Sequence, residues 1–174
     1  TKAVVAKGQT YFAIQTRRQE LSDQFQQLIT EDEKRLYLRD QMKEHNKNLA
    51  SAARNAGVID LLDYAIFQDH GYKGLYGGLS QTDIHKRKGL KKTQKILDHM
   101  GSTELAANLF RATQTEEKLK RENIKGKHHA NVTHFEVGKK VRKTIQELGG
   151  TMPERLPSAK NIKAIKKSKP GLSS

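Results

Sequence analysis

Four residues in a short central stretch have the side-chain types of a metal-dependent hydrolase. Asp60 and Asp63 lie within the otherwise apolar segment VIDLLDYAIF at residues 58–67, and Asp69 and His70 follow it closely. A nuclease centre needs clustered carboxylates beside a lysine and an open cleft. The two acids of the apolar segment are explained more simply as its polar edge or as partners of nearby backbone amides. No nucleophile elbow, zincin or kinase signature occurs. We therefore predict no enzyme activity and keep a metal-dependent nuclease as the alternative.

Three histidines near one another are the next candidates for chemistry. His128, His129 and His134 lie within seven positions, but the sequence places no carboxylate or cysteine partner with them. Such a set makes a poor zinc site, so we predict no metal and no cofactor. The chain also has no cysteine, which excludes disulfides, thiolate metal sites and cysteine nucleophiles together.

The glycine-rich stretch HGYKGLYGGL at residues 70–79 invites comparison with phosphate-binding loops. A P-loop needs Gly-Lys followed by Ser or Thr, and a dinucleotide fold needs a preceding strand; neither is present. GYKG matches the GXXG clamp of KH domains, but that fold needs a three-stranded sheet that this sequence does not predict. We interpret the stretch as a tight turn whose glycines permit positive φ. Base stacking by Tyr72 or Tyr76 is the functional alternative.

A run of basic residues follows the glycines, and it contains no acid between Ile84 and Ile96. Aligning Gly89 with the turn of a helix-turn-helix places lysines and Asp98 at core positions, so that motif fails. A solvated helix face usually alternates the signs of its charges, whereas this run carries one sign only. We predict a surface for a polyanion or an acidic partner, made by Lys86, Arg87, Lys88, Lys91, Lys92 and Lys95.

The charge of the whole chain is divided unevenly between its halves. Residues 1–80 hold 11 Lys and Arg against 10 Asp and Glu, whereas residues 81–174 hold 22 against 9. Such asymmetry is typical of proteins that neutralise phosphates, and the alternative is a basic protein whose charge serves solubility only. Further basic residues expected to help are Arg111, Lys118, Lys120, Arg121, Lys139, Lys140, Arg142 and Lys143.

The elements that must position these residues are predicted to be helices. An apolar stripe predicts a first helix over residues 10–28. Thr30 and Glu33 form a capping box that opens a second helix, which extends to about Ala56. The seam of this second helix suits an antiparallel hairpin with the first helix, or a contact in a homodimer. Its seam residues are Leu38, Met42, His45, Leu49, Ala52 and Ala56.

The remaining patterns complete an all-α prediction. Residues 58–67 read as a short, buried central helix, and the glycine-rich turn follows it. Two short helices separated by Gly89 come next, and a helix capped by Ser102 follows them. Thr133 and Glu136 form a further capping box, which predicts a last helix over residues 134–148 after a polar loop. Strands are not predicted, and the expected fold is a mostly antiparallel helical bundle with one long hairpin.

Length and composition predict one domain with a basic end. Of 174 residues, 34% are hydrophobic and 30% are charged, with a mean hydropathy of −0.81, which favours polar helix surfaces over a large core. We expect a linker at residues 1–9, a helical domain at residues 10–152 and a disordered basic tail at residues 153–174. No stretch approaches about 18 apolar residues, and no signal peptide is recognisable. We therefore expect no membrane partner and a soluble, cytoplasmic protein, which starts at Thr1 and follows a missing upstream domain.

Several long blocks resemble one known family. They read GQTYFAIQTRRQEL at residues 8–21, AIFQDHGYKGLYGGL at 65–79, IHKRKGLKKTQKILDHMGSTELAANLFRATQTEEKLKR at 84–121 and VGKKVRKTIQELGGTMPE at 137–154. These blocks are similar to the bacterial DNA damage-inducible protein D family, and the likeness extends from Gly8 to Pro157. Members of that family also carry an N-terminal BRO-type domain, as in phage antirepressors. The resemblance implies a cytoplasmic SOS-response protein with an accessory part in recombinational repair through the RecA recombinase and its DNA filaments. It brings no catalytic residues.

Together, the residues and the resemblance predict a non-enzymatic modulator of DNA repair. We expect it to bind the RecA filament, or single- or double-stranded DNA without strong sequence specificity, through the basic residues named above. The nuclease remains one alternative. A structural module for dimerisation or interaction, whose charge only aids solubility, is the other.

Overall fold

In the computed structural model of the chain, residues 30–168 and Glu20 are described, and the regular secondary structure of this part is helical throughout. It contains six α-helices and no strand, which confirms the predicted all-α class. The helices are α1 (Glu31–Asn55), α2 (Leu61–Leu75), α3 (Gln81–Arg87), α4 (Ser102–Arg121), α5 (Lys127–Glu147) and α6 (Ile162–Ser168), with 3₁₀ turns at Ile96–His99 and Pro153–Arg155. The helix predicted for residues 10–28 lies outside the described residues. No helix in the described part is long and apolar enough to cross a membrane.

Helix α1 begins where the sequence places its start. The amide of Glu33 donates to the Thr30 hydroxyl at 3.2 Å, and the Thr30 amide donates to the Glu33 carboxylate at 3.0 Å. This capping box satisfies amides that have no partner within the helix. The predicted seam is buried at Leu38, Met42, Leu49, Ala52 and Ala56, while His45 is half-buried. Because the main helix partner of α1 is α4, the seam residues belong to the core of this chain.

The two most extensive helix pairs of the bundle run parallel, whereas the sequence favoured antiparallel neighbours. At the start of α1 and α4, Ser102 donates from its amide and its hydroxyl to Glu31 at 2.8 and 2.7 Å. At their far end, the Gly126 amide donates to the Ala56 carbonyl at 2.7 Å. A short loop between two packed helices favours an antiparallel pair, as in α4 and α5. The chain between α1 and α4 is long enough to return to the starting end.

Helix α2 pairs with α5 in the same parallel sense. Lys127, at the start of α5, lies 3.2 Å from the Asp63 carboxylate in the first turn of α2. At the other end, Arg142 donates to the Leu75 carbonyl at 3.2 Å. Since α5 begins level with Asp63, no helix among residues 30–168 covers the residues before it on that side. Leu61 and Leu62 are therefore 89% and 71% exposed, although the sequence predicted a buried helix here.

Helix α2 also extends further than predicted, because two of the glycines lie inside it. A Cβ atom on Gly74 would collide with the backbone of Phe135, and one on Gly71 would collide with His134 and Arg111. These glycines let α2 and α5 approach closely. The turn itself is confined to Gly77 and Gly78, whose φ values are +65° and +99°.

The second basic helix predicted after Gly89 does not form. Gly89 has φ of +65°, and the chain from Leu90 to Lys95 makes turns before the 3₁₀ turn begins at Ile96. The His85 ring nitrogen lies 3.0 Å from the carbonyl oxygens of both Lys91 and Gln94. These contacts use backbone oxygens that a helix would need for itself.

Helix α5 begins seven residues before the predicted position, so the capping box assigned to Thr133 and Glu136 is wrong. The Thr133 hydroxyl instead donates to the His129 carbonyl at 2.8 Å within the helix, a bond available to threonine in a helix interior. Gly126, with φ of +93°, provides the start. Thr133 and Glu136 have the residue types of a capping box, but Thr133 lies inside the helix and lacks the extended backbone that a cap residue requires.

Residues 153–168, which the sequence predicted as part of a disordered tail, are ordered against the domain. Ile162 and Ile165 of α6 pack on Leu36 and are nearly fully buried. Arg35 donates to the Lys160 carbonyl at 2.6 Å, and the Ala159 amide donates to the His99 carbonyl at 2.8 Å. Two isoleucines one helical turn apart are too few to reveal periodicity in a lysine-rich segment, yet they bury apolar surface once folded. Residues 169–174 lie outside the described part.

Candidate functional site

One glutamate joins two basic segments that lie far apart in the sequence. Arg142 of α5 donates to both carboxylate oxygens of Glu154, at 2.7 and 2.8 Å. Arg87, at the end of α3, donates through Nε to the Glu154 backbone carbonyl at 2.7 Å. Although burial alone would raise it, the hydrogen bonds from Arg142 hold the pKa of Glu154 below its ordinary value. The 3₁₀ turn at Pro153–Arg155 thereby fixes α3 beside the second half of α5.

Exposed cations lie on both sides of this junction. We call them the basic surface: Lys86, Arg87, Lys91, Lys92 and Lys95 on α3 and its loop, with Lys139, Lys140 and Lys143 on α5. Within residues 30–168, Lys143 alone of these eight makes an ion pair, a loose one at 3.8 Å to Glu147. Lys139 lies over the Phe135 ring at 5.9 Å. Unneutralised cations concentrate counterions and anionic partners, so this surface can attract a polyanion.

Three predicted residues on α4 are already paired; Lys120 and Arg121 are exposed and Lys118 is half-buried. Lys118 lies 2.6 Å from Glu122, Lys120 lies 2.6 Å from Glu116, and Arg121 lies 2.7 Å from Glu117. These are the i,i+4 pairs that helices form on their solvated faces. This end of α4 therefore offers little net positive charge, and we leave it out of the basic surface.

Four other predicted residues are buried in the domain. Tyr72 and Tyr76 are 5% and 1% exposed, so neither ring presents a face for stacking on a base. The Arg111 side chain is fully buried, with its guanidinium over the Tyr72 ring at 4.8 Å. The Lys88 side chain is only 6% exposed and lies 2.8 Å from Glu104. Basic residue type alone does not reveal which cations a bundle will enclose.

Lys88 stands at one end of a chain of buried polar side chains. The Tyr76 hydroxyl donates to Oε1 of Glu104 at 2.6 Å, while Lys88 donates to Oε2 at 2.8 Å. The Asn108 amide donates to the Tyr76 hydroxyl at 3.0 Å. Burial raises the pKa of Glu104, and burial followed by the nearby Glu104 raises the pKa of Tyr76 well above its ordinary value. The buried carboxylate thus keeps both oxygens satisfied by donors from other elements.

The same chain continues from α4 to α5. Arg111 donates to the Asn108 side-chain oxygen at 3.2 Å and contacts His134 Nε2. Nδ1 of His134 lies 2.8 Å from the Phe67 carbonyl, to which it donates. Burial and then the Arg111 charge lower the pKa of His134 well below its ordinary value. Because its neutral ring accepts from Arg111 and donates to Phe67, His134 links three helices.

The sequence contained a signal for this network that its interpretation missed. Glu104, Asn108, Arg111 and Thr115 are buried on α4, and they follow one another by four, three and four positions. That spacing places them along one face of a helix. A polar stripe within an otherwise apolar face predicts a buried hydrogen-bond network as readily as a solvated side.

The acids and histidines considered for catalysis have separate structural roles. Asp60 caps α2 by accepting from the Asp63 amide at 2.8 Å, and Asp69 accepts from the Gln81 amide at 2.8 Å. His128 and His129 lie exposed on the first turn of α5, while His134 belongs to the buried network. Among residues 30–168 no three His, Asp or Glu side chains are grouped so that they could hold a metal ion.

The described residues define a small all-helical domain with a basic surface. The chain belongs to the DinD C-terminal domain family, whose model matches residues 29–165. It is 69% identical over 170 residues to the DNA damage-inducible protein D of Escherichia coli strain K12. That alignment covers 96% of this chain but 62% of the relative, so the chain spans somewhat less than two thirds of that protein's length. No solved structure matches the chain.

Proposed function

We propose that this chain acts in the bacterial response to DNA damage, as a non-enzymatic accessory to recombinational repair. In this proposal it binds DNA, or the filament that the RecA recombinase forms on DNA, in the cytoplasm. The damage-related role is supported by membership of the family and by the name of the E. coli relative. The binding role is supported by the charge of the second half of the chain.

The observation that carries the binding proposal is the basic surface itself. Seven of its eight cations have no ion pair within residues 30–168, although exposed lysines on α4 of the same domain are paired with glutamates. A contact between such cations and phosphates releases counterions and requires no base-specific geometry. We therefore expect binding with weak sequence preference and strong salt dependence.

Two further parts of the proposal have different support. The RecA partner rests on the resemblance of the sequence blocks, and the filament offers both a nucleic acid and a protein surface. The absence of catalysis is supported by the structural roles of the acids and histidines, since Asp60 and Asp69 are each engaged with a backbone amide. Occupying phosphates along a filament would change its assembly without any bond being broken.

A salt titration of DNA binding tests the basic surface. The affinity of the chain for a fluorescent oligonucleotide is measured by anisotropy between low and moderate salt. We expect log affinity to fall linearly with log salt. The double variant Lys92→Glu, Lys140→Glu, which changes one exposed lysine on each side of the junction, should weaken binding and reduce the slope by about 1 per lost phosphate contact.

The matched control is Lys118→Glu, Lys120→Glu, which makes the same change of charge on residues that are already paired. It should alter the slope much less. Equal effects of the two double variants would show that net charge alone drives binding, and the basic surface would then be rejected. RecA-promoted strand exchange, measured with each variant, tests the filament part separately; an exchange rate unaffected by the unsubstituted chain would reject it.

A further inference from the structure

A cleft with a volume of about 530 Å³ opens beside the junction at Glu154. It lies between α3 and the segment 153–158, and the buried side chains of Tyr76 and Glu104 line its inner end. Pockets of roughly 300–1,000 Å³ are the usual size for small ligands. Of the residues that line this cleft, only Arg87 also belongs to the basic surface.

Both acids that line the cleft already have partners in the protein. The two oxygens of Glu104 accept from Tyr76 and Lys88. The two oxygens of Glu154 accept from Arg142, which approaches from α5. Each carboxylate oxygen therefore already accepts a hydrogen bond from the protein, and the negative charge of each carboxylate is compensated by a cation.

The cations of the cleft, in contrast, have unused donors. Lys88 makes one side-chain hydrogen bond within residues 30–168, whereas an ammonium group carries three donors. Arg87 uses only Nε, so both of its terminal nitrogens are free in this part of the chain. The exposed guanidinium of Arg155 makes no hydrogen bond or ion pair there. Lys88, Arg87 and Arg155 thus line one cavity.

We propose that this cleft binds the phosphomonoester group of a nucleotide, carried either by a free mononucleotide or by the phosphorylated end of a DNA strand. Donors on three separate side chains suit a tetrahedral, doubly charged group better than a planar carboxylate. An interior phosphodiester carries chain on both sides, whereas a terminal phosphate has its remaining oxygens free to accept from these donors. Ile84, Pro153 and Leu156 also line the cleft, and they offer apolar contacts to the attached nucleoside. The strand-end form rests on the proposed function; the mononucleotide form does not.

Paired ligands that differ only in the phosphate test the inference. Titration calorimetry compares deoxyadenosine monophosphate with deoxyadenosine, and anisotropy compares a short oligonucleotide with and without a 5′ phosphate. We expect the 174-residue chain to prefer the phosphorylated member of each pair by about tenfold or more, as a few charge-assisted hydrogen bonds allow. Arg155→Gln should remove most of that preference, because it deletes a cation whose side chain makes no hydrogen bond or close ion pair within residues 30–168.

Arg54→Gln is the control, since Arg54 is an equally exposed arginine on α1, and it should leave the preference intact. Equal affinity for phosphorylated and unphosphorylated ligands, or equal effects of the two variants, would overturn the inference. So would an acidic peptide that binds as tightly as the mononucleotide and competes with it.

The outcome also separates this inference from the proposed function. DNA binding that depends on Lys92 and Lys140 but ignores the terminal phosphate would overturn the inference and leave the proposed function standing. Mononucleotide binding that depends on Arg155, without DNA binding, would support the inference and reject the DNA-binding part of the proposed function.

Discussion

Gly138 of α5 lies directly against the backbone of Gly71 in α2. A Cβ atom on Gly138 would stand 2.7 Å from the Gly71 carbonyl oxygen and 2.9 Å from the Leu75 amide nitrogen. Because real Cβ atoms do not approach backbone that closely, any other residue would force the two helices apart. The close packing of this pair also places Arg111 and His134 beside Gly71.

Gly138→Ala should destabilise the domain, even though alanine favours helix by up to about 1 kcal/mol over glycine. Overpacking a rigid contact typically costs about 1–3 kcal/mol, and here the neighbouring atoms belong to the backbone. Urea unfolding followed by circular dichroism measures the change. Gln146→Ala, on the exposed side of α5, should change stability little. A Gly138→Ala protein more stable than the parent would show that α2 and α5 can separate freely.

Lys88→Met should cost about 3–5 kcal/mol, because it leaves the Glu104 carboxylate buried without its cation. Adding Glu104→Gln should recover most of that loss, since the amide can still accept from Tyr76. Chemical unfolding of both single variants and the double variant measures the coupling. For comparison, Arg121→Met removes an exposed pair and should have little effect. Additive losses for Lys88 and Glu104 would contradict a direct interaction.

His134 should make the stability of the domain depend on pH. Its native pKa lies well below the ordinary value of 6.5, so below about pH 6.5 the unfolded state binds a proton that the native state does not. The contribution of neutral His134 to the free energy of unfolding should therefore be complete above pH 6.5. It should fall on acidification below that value, by at most about 1.4 kcal/mol per pH unit, until the native pKa is reached.

The pH dependence is isolated by comparing variants between pH 7 and pH 5. His134→Gln should flatten the profile in this window, whatever its effect on stability at pH 7. His129→Gln changes an exposed histidine and should preserve the slope. His70, whose pKa is also lowered by burial, is retained in all three proteins. Parallel profiles for the parent and His134→Gln would refute the role of His134.

Ile162→Ala should release α6 from α1. Replacing a buried isoleucine by alanine costs about 2–5 kcal/mol where the whole domain must respond, and less where only α6 detaches. Hydrogen exchange monitored by mass spectrometry should show faster exchange in residues 159–168. Lys163→Ala, on the exposed side of the same helix, should leave exchange slow. Unchanged protection in Ile162→Ala would mean that Leu36 does not anchor this segment.

Local sequence patterns predicted the start of helices well where the signal and the backbone agreed. Thr30 with Glu33 forms the expected capping box, and Ser80 with Asp83 has the same pattern and forms one at the start of α3, because each motif needs only four consecutive residues. Thr133 with Glu136 has the same pattern but lies inside α5. The backbone amides next to Thr133 already donate to carbonyls of the preceding helical turn. That turn exists because α5 begins at Lys127, next to the Gly126 amide that donates to the Ala56 carbonyl.

The sequence predicted that the candidate site would be basic, but it predicted only some of the residues that form it. A run of cations with no acid indicated a basic surface, and the exposed positions of Lys86, Lys91, Lys92 and Lys95 agree with it. The same pattern also included Lys88, which is buried against Glu104. Residue type sets the charge of a side chain, whereas the neighbours that neutralise it come from distant segments.

The sequence by itself determined the all-α class, the caps of α1 and α3, and the excess of positive charge in the second half, because each depends on composition or on a few adjacent residues. Only the tertiary structure decided that α1 and α4 run parallel, that Gly71 and Gly138 are helix contacts, and that Arg87 meets Arg142 through Glu154. Glu31 and Ser102 are 71 positions apart and Arg87 and Glu154 are 67 apart, although Arg142 and Glu154 are separated by only 12. Side chains so far apart meet only after the whole core has packed, so no local pattern encodes their contact.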